Sequence, residues 1–170
     1  LVHRDYHRLG AVHVRLDDQG LTVSNPGGLV DGVTLDNLLT TEPRPRNPAL
    51  ADAMKRIGVV ERSGRGVDKI YRGMLRFGRP EPDYSRTDYN NVVLRLATTE
   101  ADDVFLHLVV EQENKCGLAL PIDSLIALAV LRRQKRLDVD ELAKHIHRDP
   151  THTRQTLELL VEAGLAEAHG

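Results

Sequence analysis

Ser24-Asn25-Pro26-Gly27-Gly28-Leu29 ends a strand-like run in a two-glycine turn, and this bend decides how the first half of the chain is read. A second glycine turn, Glu61-Arg62-Ser63-Gly64-Arg65-Gly66-Val67, opens a helix-like segment. Between them, Arg46-Asn47-Pro48-Ala49-Leu50-Ala51 carries a helix start, with asparagine at the N-cap and proline at the first helical position. Strand to loop and loop to helix make a platform that can cradle a phosphate or let backbones pack closely. The residues alone leave both uses open.

Working outward, Val12, Val14 and Leu16 alternate with His13 and Arg15, turn at Asp17-Asp18-Gln19-Gly20, and return as Leu21-Thr22-Val23. That pattern predicts a hairpin with one buried face. Thr34 caps a short helix through Leu35, Leu38 and Leu39. Thr41-Glu42-Pro43-Arg44-Pro45-Arg46 is a loop, because each proline lacks a donor and restricts its predecessor. Leu50, Ala51, Met54 and Ile57 form a helical stripe stopped by Gly58. A second stripe, Val67, Ile70, Tyr71, Met74 and Leu75, closes at Gly78 and Pro80, and Asn90 to Leu96 reads as a returning strand. Residues 1–97 are therefore expected to form one mixed α+β domain.

Thr98-Thr99-Glu100-Ala101-Asp102-Asp103 starts a helical connector, 98–117, that ends at Gly117. Residues 118–170 have a different rhythm, with helix starts at Asp123 or Ser124, at Asp138 and at Thr151, and a stop at Gly164. Leu165-Ala166-Glu167-Ala168 can then enter a strand. Three short helices and a beginning strand predict a winged helix-turn-helix with an incomplete wing.

Composition sets the bounds. With 170 residues, 41% hydrophobic and 28% charged, the chain suits one or two soluble domains. No apolar run approaches the ~18 residues a membrane span needs. The start, Leu1-Val2-His3-Arg4-Asp5-Tyr6, carries no leader pattern and opens inside a motif, so an excised fragment is expected. The single cysteine, Cys116, excludes an internal disulfide framework and fits a cytoplasmic location. A net charge of −2 gives no global nucleic-acid signature. Arg44 to Arg95, however, holds twelve bases against six acids, which suits either an anionic partner or a solvated helix face. Pro121 to Gly170 holds seven bases against eight acids, so a helix-turn-helix there gains little from counterion release. The eight histidines come with no cysteine pair and no acid–histidine helix motif, so no metal site is expected.

LVHRDY, then SNPGGL, then RNPALADAMKRIGVVERSGRGVDKIY, in that order, resemble the C-terminal region of bacterial Schlafen/AlbA-type transcriptional regulators. This region is related to the C-terminus of the RecG DNA helicase and is similar to a divergent GHKL ATPase domain, the fold of gyrase, histidine kinases and MutL. The resemblance covers roughly the first hundred residues. It implies a partial GHKL-like α/β sandwich over 1–97, in which Asn25, Gly27 and Gly28 match the element that recognises adenine. Asn25 stands where the family has an aspartate, and an amide is not an ionised acceptor. Arg62, Gly64, Arg65 and Gly66 match the glycine turn that meets phosphate. The catalytic acid and the Mg²⁺-binding asparagine of the family would precede Leu1, so no catalytic residue is assigned and turnover by residues 1–170 is not expected. ATP and Mg²⁺ would then belong to the full-length protein.

On this reading the chain is a DNA-binding transcriptional regulator with a degenerate GHKL-like regulatory or assembly domain. Thr151, His152, Arg154 and Gln155, at the start of the third tail helix, are the candidate contacts to duplex DNA, and a homo-oligomer is expected. Two alternatives stand beside it: a nucleotide-binding or ATP-hydrolysing, helicase-related domain, and an oligomerisation scaffold. The tail itself can be a DNA-binding or a packing module.

Overall fold

A computed structural model describes residues 1–60 and 66–169, which divide into two compact units. The first comprises Leu1–Tyr71 and Pro80–Glu100; the second comprises Arg72–Arg79 and Ala101–Gly170.

The first unit is built on a three-stranded antiparallel sheet: β1 (His13–Asp17), β2 (Gly20–Pro26) and β3 (Asn91–Ala97), in the order β1-β2-β3. The register sets Val14 beside Val23 and Val23 beside Leu94, with Leu16, Leu21 and Leu96 in the next row on the same face. The tight β1–β2 connection is supported by Asp17 Oδ1, which accepts from Gln19 N at 2.9 Å. The expected buried face of the hairpin is not there. Val12, Val14 and Leu16 are 37%, 68% and 73% exposed. β1 is an edge strand, and alternation fixes which side chains share a face without supplying a layer to cover them.

Helix α1 (Pro48–Arg56) starts at Asn47 and Pro48 as the residues require, and Gly58 ends it at φ +74°. Asn47 does not cap it through its side chain. Its Nδ2 instead donates to the carbonyls of Val2 at 3.1 Å and Arg4 at 2.7 Å, tying the N-terminal segment to the helix. Leu35 to Thr40 form consecutive turns rather than the expected helix. Thr34 and Asn37 each bond the other's backbone amide through their side chains, and the Asn37 carbonyl accepts from the amides of both Thr40 and Thr41. The Thr34–Asn37 pair has the reciprocal form of a capping box, so the expected cap at Thr34 is made, but a helical ladder does not follow it. Helix α2 (Gly66–Leu75) leaves the first unit after Tyr71.

In the second unit, α3 (Asp103–Cys116) is capped by Asp102, whose Oδ1 accepts from Phe105 N at 3.0 Å, and it ends at Gly117 in the left-handed conformation. The Arg76 guanidinium holds Glu113 Oε2 through Nε at 3.0 Å and Nη2 at 2.8 Å. Helices α4 (Ile122–Gln134), α5 (Val139–Ile146) and α6 (Pro150–Glu162) pack against one another in all three pairings. Their shared core contains Leu125, Ile126, Val130, Leu142, Ile146 and Leu160, each at most 2% exposed. Leu165–Ala168 are not in a strand, and α6 ends in a turn at Gly164, φ +70°. Among the described residues, the buried apolar side chains of the first unit are Pro26, Ala51, Tyr71 and Pro82; the larger aliphatic and aromatic core lies in the second. No helix among the described residues is long and apolar enough to cross a membrane.

Candidate functional site

The apolar sheet face of the first unit that the core leaves half-buried lines a cleft of about 630 Å³, within the size range of small-molecule and cofactor sites. Val23, Asn25, Val92 and Leu94 form its floor. This follows from the register, which pairs Val23 with Leu94 and Asn25 with Val92 and so turns all four to one face. The loop from Leu29 to Arg44 supplies the facing wall, and Gly66, Val67 and Asp68 at the start of α2 close one end.

Two polar features stand out against these aliphatic walls. Asn25 Oδ1 is buried and, among the described residues, accepts no hydrogen bond. An orphan acceptor of this kind costs about 1–3 kcal/mol unless something meets it. Gly66 stands at the N-terminus of α2, and a Cβ built there meets nothing within 4 Å among the described residues. Space and backbone donors therefore coincide at that end of the cleft.

The turn between these features is a packing device. Gly27 has φ +96°, and a Cβ on it would lie 2.6 Å from Asp5 Cβ. A Cβ on Gly28 would lie 2.8 Å from the Asp88 carbonyl oxygen and 2.9 Å from that of Tyr89, and the Gly28 carbonyl accepts from Arg46 Nη2 at 2.6 Å. Gly28 also lines the cleft. Burial, helped by Arg46, lowers the pKa of the cleft residue His3, so its ring is neutral near neutral pH. Burial raises that of Tyr84, which keeps its phenol a donor. Glu42, Arg44 and Asp68 are the charged side chains at the cleft among the described residues. Among the described residues no group of three or more His, Cys, Asp or Glu is placed to hold a metal ion.

In the second unit, the start of α6 is fixed by Asp149, whose Oδ1 accepts from Thr151 N at 2.9 Å and His152 N at 3.0 Å. The His152 amide is the main reason that the Asp149 carboxyl lies below its ordinary pKa. Thr151, Arg154 and Gln155 are exposed at i, i+3 and i+4 on one side of the helix. His152 is engaged elsewhere: its Nε2 lies 2.9 Å from Asp123 Oδ2, an oxygen that also accepts from Arg148 Nε at 3.2 Å. Asp123 is 8% exposed, and its other oxygen is buried without a partner among the described residues.

Residues 10–96, half of the chain, match the family described as "Putative ATP-dependent DNA helicase recG C-terminal". The chain belongs to this family. Its solved structural relatives include the DIP2311 protein from Corynebacterium diphtheriae, with a TM-score of 0.75 and 27% identity over 93% of this chain and 28% of that one. The chain thus spans 28% of the length of that relative. A comparison with curated proteins found no match.

The RecG C-terminal, ATPase-like domain holds β1, β2, α1, α2 and nearly all of β3, with the cleft floor and the start of α2. The structure brings Asn25, Gly28 and Gly66 to one cleft, although 41 positions separate the first from the last. Arg62, Gly64 and Arg65 lie outside the described residues. Sequence reasoning passed over Asp123 and Arg148, which carry no motif; only the packing of α4 against α6 shows that Asp123 holds His152 and that Arg148 bonds the same carboxylate oxygen. It also passed over Tyr84 and the aliphatic wall of Val30, Val33, Leu38 and Leu39. The clustering of apolar residues between Leu29 and Leu39 was the available signal.

Proposed function

We infer that the RecG C-terminal domain of this chain binds a purine nucleotide as a regulatory ligand within a cytoplasmic, DNA-binding transcriptional regulator. The observation that carries the nucleotide half is Asn25 Oδ1, buried without a donor among the described residues on the floor of an aliphatic cleft that Gly66 also lines. A flat heterocycle suits such walls and can present an N–H to the orphan oxygen. Asn25 would hold the base. The amides opening α2, with Arg62, Gly64 and Arg65 just before them, would hold the phosphates. Mg²⁺, when bound with ATP, supplies positive charge against the phosphate oxygens. We assign no catalytic residue, and the domain is read as a sensor.

Gly66 offers a clean test, because its Cβ space is open and alanine fits a helix start without strain. ATP with Mg²⁺ at about 100 times its dissociation constant should stabilise the chain by roughly 2.7 kcal/mol in thermal melts. Gly66→Ala should fold equally well and lose that gain. Full retention of the gain by the alanine variant counts against the site.

The DNA half is supported by the exposed side of α6, where Thr151, Arg154 and Gln155 stand at the N-terminal end. We read α4–α6 as a helix-turn-helix and α6 as the recognition helix, His152 being held back by Asp123. A homo-oligomer would set two such helices on one duplex. The near-neutral charge of this segment predicts weak binding, visible by gel shift at low salt. Arg154→Ala should reduce the slope of log affinity against log salt by about one. No shift at low salt would remove the DNA-binding reading.

A further inference from the structure

The acceptor that the cleft leaves unpartnered belongs to an amide, and an amide carries an acceptor and a donor side by side on one planar group. Among the described residues, no donor on Oδ1 fixes which way the Asn25 amide is turned. Half a turn about Cβ–Cγ exchanges its oxygen and nitrogen at almost no steric change. The floor around it is aliphatic, with Val23 on the same strand and Val92 and Leu94 on the neighbouring one, so the amide is the polar reader of that part of the cleft.

We propose that Asn25 makes this cleft accept both 6-amino and 6-oxo purines. The proposal rests on the nucleotide reading above and names its selectivity. Adenine presents the N6 amino donor beside the N1 acceptor; Asn25 meets it with Oδ1 accepting and Nδ2 donating. Hypoxanthine presents the O6 acceptor beside the N1–H donor, and the same amide turned over meets it with Nδ2 donating and Oδ1 accepting. Both pairings use two hydrogen bonds, so neither base leaves a polar atom of the amide unmatched. An ionised carboxylate at this position has acceptors alone, which suit the amino group and oppose O6. Asn25 is therefore a specificity-determining residue that relaxes discrimination at the purine 6-position.

The test is paired titration of the whole chain with adenosine triphosphate and inosine triphosphate, each with Mg²⁺, by calorimetry. The two dissociation constants should agree within about threefold in the parent chain. Asn25→Asp should favour adenosine triphosphate by about tenfold or more, because it turns the O6 contact repulsive. Asn25→Ala should weaken both nucleotides while keeping their ratio near one. Each ratio is read within a single variant, so a partly unfolded preparation does not change it. A tenfold preference for adenosine triphosphate in the parent chain, or an unchanged ratio in Asn25→Asp, overturns the proposal and leaves nucleotide binding standing. Failure of the parent chain to bind either nucleotide removes the nucleotide reading itself, and the proposal with it.

Discussion

Gly20→Ala should unfold the sheet of the first unit, with a loss of about 4 kcal/mol or more. Gly20 has φ +141°, where side-chain-bearing residues are strained. A Cβ there would fall on the Leu96 carbonyl oxygen, with Leu96 C at 3.0 Å and Ala97 Cα at 3.1 Å. Those are backbone atoms of β3, locked in the ladder by the pairing of Gly20 with Ala97, so no rotamer change relieves the clash. The same residue pairs with Asp17, so the strain reaches both neighbours of β2. Gly58→Ala is the control. Gly58 also has positive φ but meets nothing within 4 Å, and its cost should stay near 1 kcal/mol. Hydrogen exchange of the Thr22 and Val23 amides reads the difference locally. Equal protection in Gly20→Ala and the parent chain would contradict the register of β2 against β3.

Leu142→Ala should cost the second unit about 3 kcal/mol, within the ~2–5 kcal/mol typical of buried leucine truncation. Leu142 is fully buried on α5, a helix of eight residues that is too short to persist without tertiary packing. Emptying its place also removes contacts that align α4 and α6, since the three helices meet pairwise. Amide exchange across α5 and α6 should accelerate together, as expected of one cooperative cluster. Leu159, 59% exposed on α6, is the matched control, and its alanine variant should stay within about 0.5 kcal/mol of the parent chain. Comparable losses at the two leucines would mean that the core is not where the structure puts it.

The two experiments address different kinds of constraint. Gly20 fails through backbone geometry that any Cβ violates. Leu142 fails through volume, which another side chain of similar size would largely restore. The first unit depends on the former more heavily because it buries so little: Pro26, Ala51, Tyr71 and Pro82 are its buried apolar side chains among the described residues, while the sheet face beside Asn25 remains open to the cleft. A domain with an uncovered apolar floor gains stability when a ligand covers it, which is why melting is a sensitive readout for the nucleotide proposal.

Much of the architecture can be read from short stretches of the chain. Asp102 and Asp138 cap α3 and α5, Pro48 opens α1, and Gly58 and Gly117 take the left-handed positions at helix ends. Each of those outcomes depends on residues within about four positions, so composition and spacing suffice to determine it. The candidate site is legible only in part: SNPGGL and the glycine turn before α2 point to it, yet the fact that Asn25 lacks a donor depends on every atom packed around it. The diversion of Asn47 from capping to the Val2 and Arg4 carbonyls shows a local preference yielding to competing hydrogen bonds, whereas Thr34 and Asn37 make their capping pair without a helix following it.

The amino-acid order, then, determined where α1, α3 and α5 begin, where α1 and α3 end, and which side chains share a face of each strand. Tertiary structure alone decided that β1 presents its valines and leucine to solvent, that Asp123 takes up His152 and Arg148 from 29 and 25 residues away, and that Asn25 and Gly66 line one cleft. The division has a single cause. Capping and turn formation are settled between near neighbours along the backbone, whereas burial and the partnering of polar atoms are settled by segments that meet only after the chain has folded.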